Sequence, residues 1–332
     1  MNKPLKHDSL EVIRRQHGQS MLLFITDKCP VGCQHCSVDS RPDSPTIKDF
    51  SLFTEIVDWM KLQSRLEVIG ISGGEPFVEK KGLIYAVEEF HKANKSIVIF
   101  TSGVWAKSLQ TPKWIVSLLK KCNTIYLSTD AFHQDNITDA CFMDAIKTIV
   151  NAGCWLVIQI LKQDEIKPSY YHVQELLAKA LGDHYTRFSE INLIKPLTNG
   201  RGKDIFPSVK QYYGRDLSSC SLVRNPMIRY DGQVSACCNE DVIMGKGPKQ
   251  LRRYITSAKQ ITSAINDFQA NPLLKSIGGV GIGALTLHPQ FSDFTKQRFA
   301  NNCTLCWRML NRQTPSQPAD KLLNLISVME VS

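Results

Sequence analysis

Short apolar runs rich in β-branched residues alternate with segments of helical periodicity along the first two thirds of the chain. The six apolar runs cover residues 20–26, 66–72, 96–102, 124–129, 155–161 and 191–197. Between them, five segments repeat apolar residues every three or four positions, at 50–63, 83–94, 111–122, 139–153 and 170–181. This alternation is typical of a parallel sheet covered by helices. It predicts an α/β fold of six strand–helix units, built either as an open barrel or as a doubly wound sheet.

The pattern changes after about residue 200. Residues 226–238 contain two short strand-like halves around an Asp-Gly pair, which is a strong hairpin signal. The Gly-rich run at 278–285 lacks the lysine of a phosphate-binding loop, and we interpret it as a flexible loop. We therefore expect three parts, which cover residues 1–200, a smaller α+β domain at 201–310 and a tail at 311–332.

Composition and charge restrict the class of protein. The 332 residues are 43% hydrophobic, which is enough to bury a sizeable core, and no apolar run is long enough to span a membrane. The N-terminus lacks the pattern of a signal peptide, so we expect a cytoplasmic protein whose eleven cysteines stay reduced. The formal charge of +9 favours acidic partners.

Three cysteines directly follow the first predicted strand. Cys29, Cys33 and Cys36 are spaced by four and three residues, a spacing that chance would give on the order of 0.01 times per chain. Three thiolates in one short loop suit a cubane iron–sulfur cluster with one iron left open, whereas a structural zinc ion usually has four protein ligands. The loop lies where a strand ends, which is the functional edge of α/β folds.

A Gly-Gly-Glu-Pro run follows the second predicted strand. Gly73 and Gly74 allow the backbone to approach a ligand closely, and Glu75 offers a carboxylate to an amino group. Cys-x3-Cys-x2-Cys after one strand and Gly-Gly-Glu-Pro after the next resemble the radical S-adenosylmethionine (radical SAM) superfamily. The resemblance covers about the first 200 residues.

This resemblance implies a partial (β/α)6 TIM-like barrel. It implies that Cys29, Cys33 and Cys36 hold a [4Fe-4S] cluster and that S-adenosylmethionine (SAM) binds the open iron. Reductive cleavage of SAM would then give a 5′-deoxyadenosyl radical that takes a hydrogen atom from the substrate. The candidate cofactor-binding residues are His35, Gly73, Gly74, Glu75, Pro76, Ser102, Asp130 and Gln159.

Some of these residues have an equally ordinary structural interpretation. Asp130 and His133 are also candidate catalytic residues that reach the substrate, but an aspartate in the position of Asp130 often caps a helix. Gln159 could equally be a buried, hydrogen-bonded amide within the fifth predicted strand. Ser102 could belong to a simple turn, and His35 could be a partly exposed loop residue.

A second group of cysteines lies in the last third of the chain. Cys220, Cys237, Cys303 and Cys306 could together bind a closed cluster or a zinc ion. Their arrangement resembles the twitch domain, a shortened form of the SPASM extension of radical SAM enzymes, which implies one auxiliary [4Fe-4S] cluster. Cys238 is either a small buried hydrophobic residue or a catalytic thiol that donates a hydrogen atom to a substrate radical.

The resemblance leaves several functions open. The leading hypothesis is modification of a ribosomally synthesised peptide by epimerisation or cross-linking, and the alternative is oxidation of a small molecule by an aminocyclitol- or sugar-type dehydrogenase. A minor alternative is a non-catalytic iron–sulfur or zinc protein that binds nucleic acid, although the sequence contains neither an aromatic–basic sheet motif nor a two-Cys-two-His finger. The expected partners are a peptide or small-molecule substrate and an acidic electron donor such as flavodoxin or ferredoxin. Neither a membrane nor nucleic acid is expected.

Overall fold

The computed structural model describes residues 3–107, 110–129, 133, 136–162, 170–206, 210–313 and 320–328. All six predicted strands are present in it, with ends that differ from the predicted ones by at most three residues. They are β1 Ser20–Phe24, β2 Val68–Ser72, β3 Ser96–Thr101, β4 Thr124–Thr129, β5 Trp155–Leu161 and β6 Ser189–Ile194. The hydrophobic pattern therefore identified every strand of the α/β part of the chain.

The five predicted helices are also present, and each packs an apolar face against the fold. The five are α2 Phe50–Leu62, α3 Lys80–Lys92, α4 Lys113–Leu119, α5 Asp139–Asn151 and α6 Tyr170–Leu181. Two helices that were not predicted are the N-terminal α1 His7–Arg15 and the one-turn α7 Gly202–Ile205. In α2, the four positions at helical spacing, Phe53, Ile56, Val57 and Met60, are completely buried. Burial of this face stabilises the helix more than its intrinsic propensity does.

The order of the strands decides between the two architectures that the pattern allowed. Strands β1 to β6 lie side by side in the order of the sequence, and each neighbouring pair is parallel. A doubly wound sheet requires a point at which the strand order reverses, and this series has none. The prediction of a partial (β/α)6 barrel is therefore confirmed.

The barrel strands bury one cluster of side chains together with the N-terminal helix. Leu10 of α1 packs with Val68, Val98, Tyr126 and Val157, which come from four successive strands. Side chains alternate between the two faces of a strand. Gln159, two residues beyond Val157, therefore lies on the same face as this cluster and nearer to the carboxyl end of β5.

The chain divides into two compact units. The first comprises Met1–Phe206 with Ile228–Gly232, and the second comprises Pro207–Met227 with Gln233–Ser332. The remaining strands are β7 Tyr212–Tyr213, β8 Met227–Arg229, β9 Gln233–Ser235, β10 Arg252–Tyr254 and β11 Arg298–Phe299. The Asp-Gly pair at 231–232 connects β8 to β9, as the hairpin signal predicted, and Gly232 has a φ of 87°.

The second unit is a mixture of short strands and helices. Within it, β7 pairs with β11 and β9 pairs with β10, both antiparallel. Its helices are α8 Glu240–Ile243, α9 Lys259–Ala270, α10 Pro272–Ser276, α11 Asn302–Arg312 and α12 Lys321–Val328. In the part of the chain that the structure describes, no helix has both the length and the apolar character needed to cross a membrane.

The Gly-rich run at 278–285 is helical, so its interpretation as a flexible loop is wrong. One π-helical turn covers Ile277–Gly281, and a 3-10 turn covers Ala284–Leu287. The glycines are needed because this segment lies close to another stretch of backbone: a Cβ at Gly283 would be 2.3 Å from the carbonyl oxygen of Leu217. Composition alone could not distinguish this close packing from flexibility.

Candidate active site

The three cysteines lie in one loop that begins where β1 ends. We call residues 28–41 the cysteine loop; a bridge between Lys28 and Arg41 closes it, and the backbone N–H of Cys29 donates to the carbonyl of Arg41 at 3.0 Å. Cys29 is buried, whereas Cys33 and Cys36 are half-buried. The N–H of Cys36 donates to the carbonyl of Cys33 at 3.3 Å. The loop thus carries all three thiols at the carboxyl edge of the sheet.

The surroundings of the thiols affect their ionisation differently. The pKa of Cys36 is lowered to about 5, mainly because the Cys33 thiol donates a hydrogen bond to its sulfur. The backbone N–H of Ser40, 3.3 Å from the same sulfur, acts in the same direction. Burial raises the pKa of Cys29 to about 11, and the negative charge of Glu75 adds to this rise. Cys36 is therefore more readily available as a thiolate than Cys29.

The Gly-Gly-Glu turn packs directly against the segment that leads into the cysteine loop. The N–H of Gly74 donates to the carbonyl of Thr26 at 2.7 Å, and the N–H of Glu75 donates to that of Lys28 at 2.9 Å. A Cβ on Gly73 would be 2.6 Å from the Thr26 oxygen, and one on Gly74 would be 2.4 Å from the Lys28 oxygen. Only glycine fits at these two positions, because a side chain would clash with the backbone carbonyls of Thr26 and Lys28. This close packing fixes the start of the cysteine loop.

Glu75 is buried and surrounded by hydrogen-bond donors from the chain itself. One carboxylate oxygen accepts from the Thr101 hydroxyl at 2.8 Å and from the Phe77 N–H at 3.2 Å. The other accepts from the Ser102 hydroxyl at 2.6 Å and from the Ser102 N–H at 2.9 Å. Pro76, which is also buried, starts the 3-10 turn Pro76–Val78. Glu75 therefore ties the end of β3 to the end of β2, and Ser102 is placed by this contact.

Replacing Gly74 with alanine is expected to destabilise the fold by roughly 1–3 kcal/mol, the usual cost of overpacking, and to lower iron loading. The new Cβ must displace the backbone that leads to Cys29. Denaturant unfolding and iron analysis of the purified variant measure the two effects. Gly182→Ala is the control for iron loading: at a φ of 79° alanine costs about 1–2 kcal/mol of backbone strain, but its Cβ would contact nothing within 4 Å. This control should therefore lose stability without losing iron. Equal iron content in the two variants would contradict the packing argument.

The histidine candidates lie near each other in the first unit. The ring centroids of His35 and His133 are 5.3 Å apart, and the ring of Phe206 lies 6.3 Å from that of His35. His133 is buried. Asp130 lies outside the described residues. The structure therefore places His35 and His133 in one aromatic group beside the cysteine loop.

The sequence analysis missed a buried ion pair that fixes the residue two positions before Cys29. The guanidinium of Arg229 donates to both carboxylate oxygens of Asp27, at 2.9 and 2.8 Å. Only 7% of the Arg229 side chain and 8% of the Asp27 side chain are exposed. The Tyr230 hydroxyl also donates to Asp27, at 2.8 Å. Removing one partner of such a pair costs far more than the net contribution of the pair itself, so the contact fixes the position of Asp27. The Asp-Gly hairpin pattern next to Arg229 was the only feature of the sequence that pointed to this contact.

Four cysteines of the second unit line one cavity, and they are the four that the sequence grouped together. Cys303 and Cys306 come from α11, Cys237 follows β9, and Cys220 precedes the 3-10 turn Ser221–Arg224. The rest of the lining includes apolar side chains, those of Leu222, Val223, Leu251, Ile277 and Trp307. Cys238 is not among the described residues that line the cavity.

Burial makes these four thiols difficult to ionise in the chain alone. It raises the pKa of Cys303 to about 12 and also raises those of Cys220, Cys237 and Cys306. The side-chain amide of Asn239 donates to the Cys303 sulfur at 3.5 Å. Among the described residues, no three Cys, His, Asp or Glu side chains are grouped closely enough to hold a single metal ion.

Comparisons with known proteins agree with this geometry. The family model described as the radical SAM superfamily matches residues 23–164, a range that contains the cysteine loop, the Gly-Gly-Glu turn and Gln159. The chain is 22% identical over 236 residues to YydG of Bacillus subtilis (strain 168), which carries a provisional assignment to peptide biosynthesis. That alignment covers 69% of this chain and 72% of YydG.

Two solved structures are among those similar to the chain. One is native anSMEcpe with bound AdoMet and the Cp18Cys peptide, at a TM-score of 0.50 and 12% identity, with 94% of each chain covered. The other is Streptococcus suis SuiB bound to the precursor peptide SuiA, at a TM-score of 0.46 and 12% identity, with 79% of this chain and 70% of SuiB covered. Residues 23–164, which contain the cysteine loop and strands β2 to β5 of the partial barrel, thus match a radical SAM domain.

Proposed function

We propose that this radical SAM enzyme modifies a ribosomally synthesised peptide. The observation that carries the chemistry is the cysteine loop, held against the Gly-Gly-Glu turn at the carboxyl edge of β1 and β2. Membership of the superfamily implies SAM and a [4Fe-4S] cluster as cofactors. The relationship to YydG supports a peptide as the substrate class.

The residues of the first unit suit a cluster with one open iron. Cys29, Cys33 and Cys36 supply three thiolates from one loop, and the N–H of Ser40 already donates to the sulfur of Cys36. Cys29, Cys33 and Cys36 would hold this cluster, and its chemistry, when bound and reduced, would be the one-electron cleavage of SAM that starts hydrogen-atom abstraction from the substrate. The chain itself contributes the placement of the thiols, because the Gly-Gly-Glu turn and the Asp27–Arg229 pair fix the start of the loop.

The residues proposed to contact SAM and the substrate lie around the same loop. We assign His35, Gln159 and the turn Gly73 to Pro76 to SAM, with Ser102 positioned for it by Glu75. His133, whose ring neighbours that of His35, is assigned to the substrate. Asp130, which lies outside the described residues, is assigned to either of the two on sequence grounds alone.

We further propose that Cys220, Cys237, Cys303 and Cys306 hold an auxiliary [4Fe-4S] cluster. All four line one cavity with apolar neighbours, and four thiolates complete the coordination of a cubane. Zinc is the other possible occupant of four thiolates, and metal analysis of the purified protein distinguishes the two. Burial disfavours the thiolate form of these cysteines, and either cationic centre would favour it.

The formal charge of +9 supports an acidic protein such as flavodoxin or ferredoxin as the electron donor. Opposite charges increase the rate of association between proteins. The rate of SAM cleavage with such a donor should therefore fall as salt is added. Chemical reduction with dithionite is the control, because it needs no protein partner.

The peptide assignment is tested with short peptides encoded beside the gene. Each is incubated with reconstituted enzyme, SAM and reductant in D2O, and the product is analysed by mass spectrometry and by chiral analysis of its residues. Deuterium at one α-carbon together with inverted configuration identifies an epimerase. Loss of two hydrogens without deuterium identifies a cross-linking enzyme. If no encoded peptide changes while an added cyclitol or sugar is oxidised, the peptide proposal is wrong.

Cys238 is the candidate hydrogen-atom donor if the reaction is an epimerisation. Its S–H bond is weak enough to give a hydrogen atom to a substrate radical, and the thiyl radical is then restored by one electron and one proton from the donor system. With the electron that cleaves SAM, each turnover uses two electrons and one proton. Four other cysteines line the cavity, and four thiolates complete the coordination of a cubane, which leaves the thiol of Cys238 for this role.

Cys238→Ser is therefore expected to keep its iron content and SAM cleavage but to lose at least about 100-fold in epimerisation, the lower range for loss of a positioned proton- or hydrogen-transferring group. Chromatography of 5′-deoxyadenosine and chiral analysis of the peptide measure the two activities separately. Cys141→Ser, a change in α5 of the first unit, is the control. Full epimerisation by the Cys238 variant would remove this residue from the mechanism.

A further inference from the structure

The segment that follows β6 folds back onto the cysteine loop at two glycines. Gly200 has a φ of 54°, and a Cβ there would be 2.4 Å from the carbonyl oxygen of Cys36. A Cβ on Gly202 would be 2.3 Å from the Leu197 oxygen and 3.2 Å from the His35 oxygen. Only glycine permits backbones to approach this closely. The residue between the two glycines, Arg201, is therefore fixed from both sides against the cysteine loop.

Arg201 contacts the cysteine loop with its backbone and with its whole guanidinium group. Its N–H donates to the Cys36 carbonyl at 3.0 Å. Its Nε and Nη2 donate to the Cys33 carbonyl at 3.2 and 2.6 Å, and Nη2 also donates to the Ser40 carbonyl at 3.1 Å. Its Nη1 donates to the carboxylate of Asp39 at 2.6 Å. One largely buried side chain thus connects both ends of the stretch from Cys33 to Ser40.

The stretch from Cys33 to Ser40 lacks the repeating hydrogen bonds of regular secondary structure. Within the described residues it forms turns without a helix or strand, and Asp39 has a φ of 51°, which is unfavourable for a residue other than glycine. Arginine suits the role because its planar group offers five donors in a fixed geometry, which lysine cannot reproduce. The positive charge also lies beside the backbone of two cluster ligands, because Arg201 donates to the carbonyls of Cys33 and Cys36.

We propose that Arg201 is the positioning residue of the cysteine loop, which holds Cys33 and Cys36 ready for the cluster and raises the reduction potential of that cluster. Hydrogen bonds and charge outside the ligands set both the stability and the potential of iron–sulfur centres. A cation stabilises the reduced state, which carries one more negative charge. The inference rests on the proposed cluster at Cys29, Cys33 and Cys36.

The test compares three variants of the full chain: Arg201→Met, Arg201→Lys and Arg41→Met. Arg41 is the matched control, because its Nη2 also donates to Asp39, at 3.2 Å, while its side chain is 56% exposed. Three properties are measured. They are amide hydrogen exchange over residues 33–40 in the cluster-free chain, the rate of iron release to a chelator after reconstitution, and the midpoint potential of the SAM-sensitive EPR signal.

Arg201→Met is expected to speed exchange over 33–40 and to release the iron of this cluster at least about tenfold faster, the lower range for loss of a residue that supports metal ligands. Its midpoint potential should be more negative than that of the wild type. Arg201→Lys keeps the positive charge but loses the planar group with its fixed set of donors. The midpoint potential of the cluster should therefore stay near the wild-type value, while hydrogen exchange over residues 33–40 still increases. Arg41→Met should match the wild type in all three measurements.

The proposal is overturned if Arg201→Met and Arg41→Met give the same exchange over 33–40 and the same iron release. If Arg201→Met loses protection from hydrogen exchange throughout the chain, the test depends on Arg201→Lys. Faster exchange confined to residues 33–40 in the lysine variant supports the proposal. Unchanged exchange over residues 33–40 in that variant overturns it. The exchange measurement uses protein without a cluster. A failure of the proposed cluster site would instead appear as absence of the SAM-sensitive signal in the wild type, and the two failures are thus distinguishable.

Discussion

Changing Cys29, Cys33 and Cys36 together to alanine is expected to remove about four irons per chain, the content of one cubane, and to abolish production of 5′-deoxyadenosine. The three thiols are the only cysteines in the cysteine loop. Their loop is held in place from three sides: by the Gly-Gly-Glu turn, by the Asp27–Arg229 pair and by Arg201. Because these supports are backbone contacts and charged pairs that do not involve the sulfur atoms, the variant should fold.

The measurement combines iron and sulfide analysis of anaerobically reconstituted protein with chromatography of the SAM products. Cys141→Ala is the control, since it removes a buried thiol from α5 without touching the loop. It should retain the wild-type iron content and SAM cleavage. Production of 5′-deoxyadenosine by the triple variant at the wild-type rate would show that SAM is cleaved elsewhere, and the site assignment would fall.

The strands and helices were predictable because their signal is local. Successive apolar residues mark buried strands, and the spacing in α2 marks the four side chains that are completely buried. The pattern could not choose between a barrel and a doubly wound sheet, because strand order depends on contacts between segments distant in the sequence. The spacing of three cysteines was equally local, and for that reason the sequence could identify the loop.

The contacts that support the site could not be predicted, since each joins residues far apart along the chain. The close approach of Gly74 to Lys28 in the cysteine loop was not part of the expectation that this glycine contacts a ligand. Arg229 pairs with Asp27 across 202 positions, and Arg201 reaches Cys33 across 168. A sequence shows that a glycine or an arginine is present, whereas its partner is fixed only by the fold. Replacing Arg201 or Arg229 therefore tests how the cysteine loop is positioned without removing a cluster ligand.

Changing Cys303 and Cys306 to alanine is expected to halve the iron content, from about eight to about four per chain, as loss of one of two cubanes requires. Both thiols lie on one side of α11, three positions apart, and line the cavity that Cys220 and Cys237 also line. Two remaining thiolates cannot hold a cubane firmly. SAM cleavage should persist, because its cysteines belong to the other group. Oxidation or cross-linking of the peptide should be lost, because these reactions need an acceptor for the electron that the substrate radical gives up.

Iron, sulfide and zinc analysis of the wild type and the variant measures this outcome, and Cys238→Ala provides the matched control. Cys238 is a neighbouring thiol that does not line the cavity among the described residues, so its removal should leave about eight irons, the content of two cubanes. A wild type with about four irons and one zinc per chain would identify a structural zinc site instead. The electron from the substrate radical would then need another acceptor, because zinc has no accessible redox change. Of the two peptide reactions left open, this result would favour epimerisation over cross-linking, because in epimerisation the substrate radical receives a hydrogen atom and no electron is removed from the peptide.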